Sequence, residues 1–422
     1  MILLSFYYAV WWLIGPVIHI FLLYRCWRGK ENPRRLKERW GIGLRPRPHG
    51  QVIWVHAASV GETQMVLPII RSLLEHHPKL HIVLTTGTTT SAQVVHKAGI
   101  DRIVHQVTPL DHPWVINTFL HHWRPALTLW VESELWPHML LQQQRLGIPI
   151  ILTNGGISQK SARLWGRFPG AISRLLRCFT TAAVRSEAQK QRLLSLGLQG
   201  ITIVGNLKFA APALPVDAIA LTQFQQTVHG RPLWIAASTH QGEESYIIAA
   251  HQKICEQFPS ALCIIVPRHP ERGHDVAGMS TMIGPSAQRS ENHLITATTQ
   301  YYIADTIGEM GLWYRLAPVA FIGASFISHG GHNPIEPIQL GCVPLYGPHM
   351  QNFSEVTEAL AEPFLSCSSA EQLATKIMHL WRNAAYCDDL IRALQERVGQ
   401  QAAVGHRLQE LISPYLQDLS HA

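Results

Sequence analysis

Two carboxylates stand where a chain like this would place chemistry. Glu62 and Glu132 each lie just past, or at the end of, an apolar run (residues 52–56 and 127–132) with the length and composition of a buried strand. Glu62 follows the small-residue turn 57–61 and opens a helical stripe. An acid in a first helical turn complements the helix dipole. At the mouth of a cleft it can instead take the proton of an attacking hydroxyl. Glu132 closes a wholly apolar run, a poor place for a charge unless something uses it. The cations come later. Lys208 follows the run 201–204, Arg268 and His269 follow 262–266, and His240 follows 233–237, with Glu243 and Glu244 opening the next helix. Singly, each suits a surface ion pair or a cap as well as a ligand. Together they describe an anion- and sugar-binding half facing a half that bears carboxylates.

Residues 328–337, SHGGHNPIEP, follow another apolar run at 319–324 and precede a helical pattern over 335–340. Gly330 and Gly331 permit positive φ and a close backbone approach. Asn333 is a suitable N-cap, and Pro334 suits a first helical turn, where a missing amide costs nothing. A helix start there would offer N–H groups to an anion, and Glu336 would accept from ribose hydroxyls. A tight turn and a capped helix account for the same letters.

These loops need a frame. From residue 52 onward, strand-like runs at 52–56, 82–86, 103–106, 127–132, 148–153, 180–184 and 201–204 alternate with amphipathic stripes such as 62–75, 114–122 and 187–196. After a proline-bearing break at 209–215 the alternation resumes with 233–237, 262–266, 294–297, 319–323 and 343–346. Such alternation predicts α/β architecture with parallel sheets covered on both faces, and two such domains in tandem would face each other across a cleft. Residues 371–420 read as largely helical.

Composition narrows the function classes. The first 24 of the 422 residues carry no charge; as a helix they would extend roughly 36 Å at about 1.5 Å per residue, enough for a bilayer. Arg25, Arg28, Lys30, Arg34, Arg35, Lys37 and Arg39 follow against Glu31 and Glu38, a net +5 of the chain's +7. The basic excess is therefore a membrane flank, not a nucleic-acid surface. It lies after the apolar run, unlike a signal peptide, so the expectation is a retained anchor with the body in the cytoplasm, either spanning the bilayer or lying in one leaflet. Seven scattered cysteines fit a reduced compartment. The 24 histidines form no metal-binding array in sequence and read as surface or capping residues. Neither a Walker pattern nor Gly-x-Gly-x-x-Gly occurs, which disfavours ATP-dependent phosphoryl transfer and nicotinamide chemistry.

The chain resembles the bacterial 3-deoxy-D-manno-octulosonic acid (Kdo) transferases, membrane-associated glycosyltransferases of GT-B architecture. The resemblance rests on HAASVGE (56–62), ESELWP (132–137), GNLKF (205–209), STHQGEE (238–244), VPRHPER (266–272), DTIGEM (305–310) and GGHNPIEP (330–337). It implies two Rossmann-like domains behind an N-terminal membrane helix. The corresponding division is an anchor over 1–47, an acceptor domain over 48–210, a donor domain over 211–400 and a last helix over 401–422. It implies Glu62 as base, with Glu132 and Lys208 supporting the transition state. Arg268, His269, Gly308, Glu309, Met310, Asn333, Pro334, Ile335 and Glu336 would hold the CMP part of a CMP-Kdo donor. The implied acceptor is the lipid A precursor, at the inner membrane of a bacterium, with inversion at the transferred sugar and neither metal nor cofactor.

Residues 160–177, with Lys160, Arg163, Arg167, Arg174 and Arg177 among Trp165 and Phe168, suit either an anionic bilayer or a solvated helix face. Two departures from the family pattern stand out. Asn154-Gly155-Gly156 replaces Asn-Ala-Arg, so an expected arginine is absent, with Lys160 or Arg163 as nearby substitutes, and Ala210 replaces an aspartate. The rival readings are a GT-B enzyme using a UDP-sugar and an inactive membrane-tethered nucleotide-binding protein. The seven motifs disfavour the first. The presence of both Glu62 and Glu132 disfavours the second.

Overall fold

The computed structural model describes residues 2–29 and 31–420, so Met1 of the expected anchor, Lys30 of the basic run and the last two residues lie outside it. The chain divides into two units. The first takes residues up to Ala211 together with those from Gln401 on, and the second is Pro212–Gln400.

The first unit is built on seven parallel strands, β1 (Gln51–His56), β2 (Leu80–Thr86), β3 (Ile103–Val107), β4 (Leu127–Val131), β5 (Ile150–Gly155), β6 (Thr181–Val184) and β7 (Ile201–Ile203). Their order is β3-β2-β1-β4-β5-β6-β7. Side chains alternate across the sheet, so Val52 and Trp54 pack with Trp123 and Trp130 on one face while Ile53 and Val55 pack with Ile69 and Ile70 on the other. The second face is completed by Val404, Leu408, Ile412 and Leu416, one stripe of the helix Val404–Ser420. Sequence order reverses between β1 and β4, the switch point at which ligands bind in open parallel sheets. Glu62 follows β1 and Glu132 follows β4.

The second unit has six parallel strands, β8 (Leu233–Thr239), β9 (Leu262–Pro267), β10 (Ser286–Gln288), β11 (Tyr301–Ile303), β12 (Val319–Ile322) and β13 (Val343–Tyr346), ordered β10-β11-β9-β8-β12-β13. Its switch point falls between β8 and β12, the strands that lead into residues 238–244 and 328–337. One expected strand is corrected. Residues 294–297 are irregular and Leu294 is 83% exposed, while Ser286–Gln288 takes the sheet edge and Tyr301–Ile303 pairs between it and β9. The β-branched letters at 295 and 296 mislead, because the Thr296 N–H and hydroxyl are spent on a turn with Thr299.

Residues Ile2–Trp27 form one helix, but among the described residues no helix is long and apolar enough to cross a membrane. Of the two placements open for the expected anchor, spanning the bilayer or lying in one leaflet, this gives no support to the first. The helix is instead tied to the first unit on one side: the Tyr7 hydroxyl donates to Asp111 Oδ2 at 2.8 Å, and Trp11 and Leu22 are buried. Val17, Ile20, Phe21, Tyr24 and Trp27 remain 52–79% exposed at helical spacing on the opposite side.

Candidate active site

At the first switch point Ser59 caps the helix Val60–His76, accepting from Glu62 N at 3.3 Å. Glu62 folds back, taking Ala58 N at 2.8 Å on Oε2 and the Ser59 hydroxyl at 2.8 Å on Oε1. This is close to a capping box, so Glu62 does serve the helix start, where it also complements the dipole. More than capping is present, however. The side chain is buried, and burial pushes its carboxyl up to about 7, with the charges of Glu132 and Glu134 pushing the same way against the Ser59 and Ala58 bonds.

Glu132 stands one residue beyond β4 with φ +58°, in the left-handed region that costs a non-glycine residue energy. Its Oε1 lies 3.4 Å from Asn154 Nδ2 and 3.9 Å from Arg185 Nη1. Asn154, itself at φ +55°, also accepts from Leu207 N at 3.0 Å. It therefore clamps the turn Leu207–Ala210, which carries Lys208, to the loop that carries Glu132. Asn154 and Arg185 were not singled out in the sequence as site residues. The pair Asn154-Gly155 at a strand end was the available signal.

Glu134 is a further carboxylate that the strand pattern alone did not mark. His56, fully buried at the end of β1, lies against Trp130 with ring centroids 4.3 Å apart and places Nε2 3.6 Å from Glu134 Oε2. The imidazole, with Trp136 Nε1 donating at 2.9 Å, holds the Glu134 carboxyl below the usual range. Glu62, Glu132 and Glu134 thus form one carboxylate group, and its members occupy different electrostatic environments.

In the second unit the loop after β12 is organised by a fully buried acid. Glu243 accepts from Ala324 N, Ser325 N and Phe326 N at 2.6, 2.9 and 3.0 Å, and from His240 N at 3.0 Å. This grip accounts for Ala324 sitting at φ +60°. Glu244, also buried, pairs with Arg272 at 2.6 Å. Both acids of GEE therefore serve the scaffold. Gly330 and Gly331 have φ +90° and +77°, and a Cβ on Gly331 would run into Met350.

The expected helix begins at Ile335 and is five residues long, ending at Gln339. Asn333 still caps, accepting from Ile335 N at 3.1 Å, and its amide donates to Glu336 Oε1 at 3.2 Å. Burial raises the Glu336 carboxyl, against the Asn333 bond and the Arg268 charge.

Four histidines gather here, a grouping the sequence did not single out, although His269 and His329 are exposed as expected for surface residues. His240 stacks on His329 and His332, each at 5.2 Å, and meets His269 edge-on at 5.7 Å. His240 and His332 share an Nε2···Nε2 hydrogen bond of 3.0 Å, so one of the two must be protonated there and the other not. Burial, then the neighbouring imidazoles and Arg268, push His332 down to about 4. Among the described residues no group of three or more His, Cys, Asp or Glu is arranged to hold a metal. Gly308, Glu309 and Met310 follow β11 in the same unit. Glu309 pairs with Arg289 at 2.7 Å and with Thr306, and Met310 starts the helix Met310–Leu316.

A family model described as 3-deoxy-D-manno-octulosonic-acid transferase (kdotransferase) matches residues 34–211. Over 98% of this chain and 98% of its relative, the sequence is 31% identical to the 3-deoxy-D-manno-octulosonic acid transferase of Haemophilus influenzae. The chain belongs to the Kdo transferase family. The corresponding Rickettsia bellii transferase is 30% identical over 90% of this chain and 91% of its own. A solved glycosyltransferase from Rickettsia africae shares the fold, with a TM-score of 0.59 at 13% identity over 89% of this chain and 100% of that one. Its two parallel-sheet α/β units resemble those of GT-B glycosyltransferases, as the resemblance implied.

Proposed function

We propose that this family member moves Kdo from CMP-Kdo to the lipid A precursor in lipopolysaccharide biosynthesis, inverting the transferred sugar. The observation that carries the reading is Glu62, a buried carboxylate at the first switch point whose proton leaves at about 7. A general base works best when its pKa lies near the working pH. Glu62 takes the proton of the acceptor hydroxyl as that oxygen attacks the anomeric carbon of Kdo and CMP departs. Glu132 and Lys208, joined through Asn154, stabilise the charge that develops. The second unit holds the donor: Arg268 and His269 at the end of β9 and residues 333–336 after β12 surround its single phosphate and ribose. A single phosphate can be neutralised by a cation and N–H groups, so the reaction needs no metal. Gly308, Glu309 and Met310, on the Arg289 side of that unit, make the remaining donor contacts. The deciding assay incubates the purified protein with CMP-Kdo and lipid A precursor in EDTA and weighs the product. An unchanged acceptor would overturn the reading.

Donor binding has its own test. Arg268→Ala is expected to raise the donor KM about ten- to hundredfold, the cost of one charge-assisted contact, with the acceptor KM little altered. The reverse pattern would exchange the roles assigned to the two units.

We read the helix Ile2–Trp27 as lying on the cytoplasmic face of the bacterial inner membrane, its exposed stripe from Val17 to Trp27 in the interface. The exposed Lys160, Arg163, Arg167, Arg174 and Arg177, near the exposed apolar Leu164 and Phe168, add attraction to anionic lipid. Hydrophobic insertion survives salt and charge attraction does not. The intact protein should therefore stay on anionic vesicles in about 1 M salt, where the Debye length is about 3 Å. A variant with Ile20, Phe21 and Trp27 changed to Ser should wash off. Equal retention of both proteins would remove the stripe from membrane binding.

A further inference from the structure

Gly155 and Gly156 end β5 where a Rossmann-like strand hands over to its loop. Neither has positive φ, so backbone conformation does not explain the pair. Space does. The pairing of β5 with β6 slips between Leu152 and Gly155, which brings Gly155 opposite Val184 and lets Arg185 N reach Gly155 O at 3.4 Å. A Cβ on Gly156 would strike Arg185 Nη2 and stand 2.8 Å from both Cζ and Nε. The guanidinium therefore fills the volume into which a side chain at 156 would grow, and from there Nη1 faces Glu132 Oε1 at 3.9 Å. The Arg185 side chain keeps 18% of its exposure and that of Glu132 keeps 34%.

We infer that Arg185 is a positioning residue for the transfer reaction, holding Glu132 in place, and that position 156 is glycine to admit it. Three carboxylates share this end of the sheet, and like charges crowded together repel one another unless a cation lies among them. A guanidinium supplies one that is always charged and geometrically stiff. Lys160 and Arg163, the substitutes expected for the missing arginine, lie instead on the exposed helix Gln159–Trp165. The inference explains the departure at 154–156 as a relocation: the cation arrives from β6, not from β5.

This rests on the assignment of Glu132 to the active site, and the tests separate the two. Arg185→Ala should lower kcat about ten- to hundredfold with both KM values nearly unchanged, since a displaced catalytic group costs rate before affinity. Added guanidinium ion should restore turnover of that variant, and Arg185→Ala combined with Gly156→Arg should recover at least about a tenth of wild-type kcat by returning a guanidinium to the same volume. Wild-type kcat in Arg185→Ala overturns the inference, as does a low kcat that neither guanidinium nor the second substitution improves. A crystal structure of Gly156→Ala supplies a readout independent of turnover. There the guanidinium should be displaced from Glu132, and its retention would overturn the inference. An inactive wild-type protein would refute the proposed reaction and leave this structural outcome still decisive.

Discussion

Glu62→Gln is expected to fold normally, bind CMP and lose Kdo transfer by about two to four orders of magnitude, the usual worth of a general base. In the parent protein the rate should rise with pH and level off above about 7, where Glu62 has lost its proton. The same shift has a stability consequence. The carboxyl of Glu62 titrates higher in the folded chain than the usual range near 4.5, so between those values the folded state binds more protons than the unfolded one. Stability then falls as pH rises through that window, because the fold increasingly has to bury a charge. Asp111, also pushed up to about 7 by burial, contributes a slope of the same sign in both proteins, so the comparison isolates Glu62. Thermal unfolding from pH 4.5 to 7.5 should show a shallower loss for Glu62→Gln than for the parent. Near-normal turnover of Glu62→Gln would take it out of the mechanism, and parallel stability curves would show that its carboxyl is not perturbed.

The alternation of apolar runs with helical stripes was enough to place most strands within a residue or two, because parallel strands buried on both faces leave a nearly uninterrupted apolar signal. It failed at 294–297, where a three-residue edge strand is too short to leave any period and a turn carries the more strand-like letters. It also left the placement of the N-terminal helix undecided. Absence of charge marked that segment as apolar, but whether Trp11 and Leu22 face lipid or protein depends on a surface that only the folded first unit supplies. The two principal carboxylates were legible because each sits beside a strand end. Arg185 was not, because its meaning depends on a missing side chain 29 positions earlier and on the β5–β6 slip that juxtaposes them. The histidines show the same limit. His240, His269, His329 and His332 come from three different strand-end loops, and only the sheet order makes them neighbours.

Glu243→Ala should damage the second unit more than any substitution of an exposed donor-site residue. Four backbone N–H groups, those of His240, Ala324, Ser325 and Phe326, converge on one carboxylate with no exposure to solvent. Removing it leaves several buried donors unsatisfied, each costing about 1–3 kcal/mol if nothing replaces the acceptor. Water entering the vacated space would recover part of that, so a net loss of about 3–5 kcal/mol is expected. Glu243→Gln should not rescue fully, because its amide keeps one acceptor oxygen and turns its NH2 toward N–H groups that are already donors. The two units need not melt together, so the loss should show as a drop of about 10 °C in one of two transitions, with the other unmoved. Ala324 would lose the grip that keeps it at φ +60°, and residues 328–337 beyond it would no longer be held for the donor. Donor affinity should then fall in Glu243→Ala even below its melting temperature, although Glu243 is itself fully buried. A single unshifted melting curve with normal donor affinity would mean that the loop after β12 is held by something other than this carboxylate.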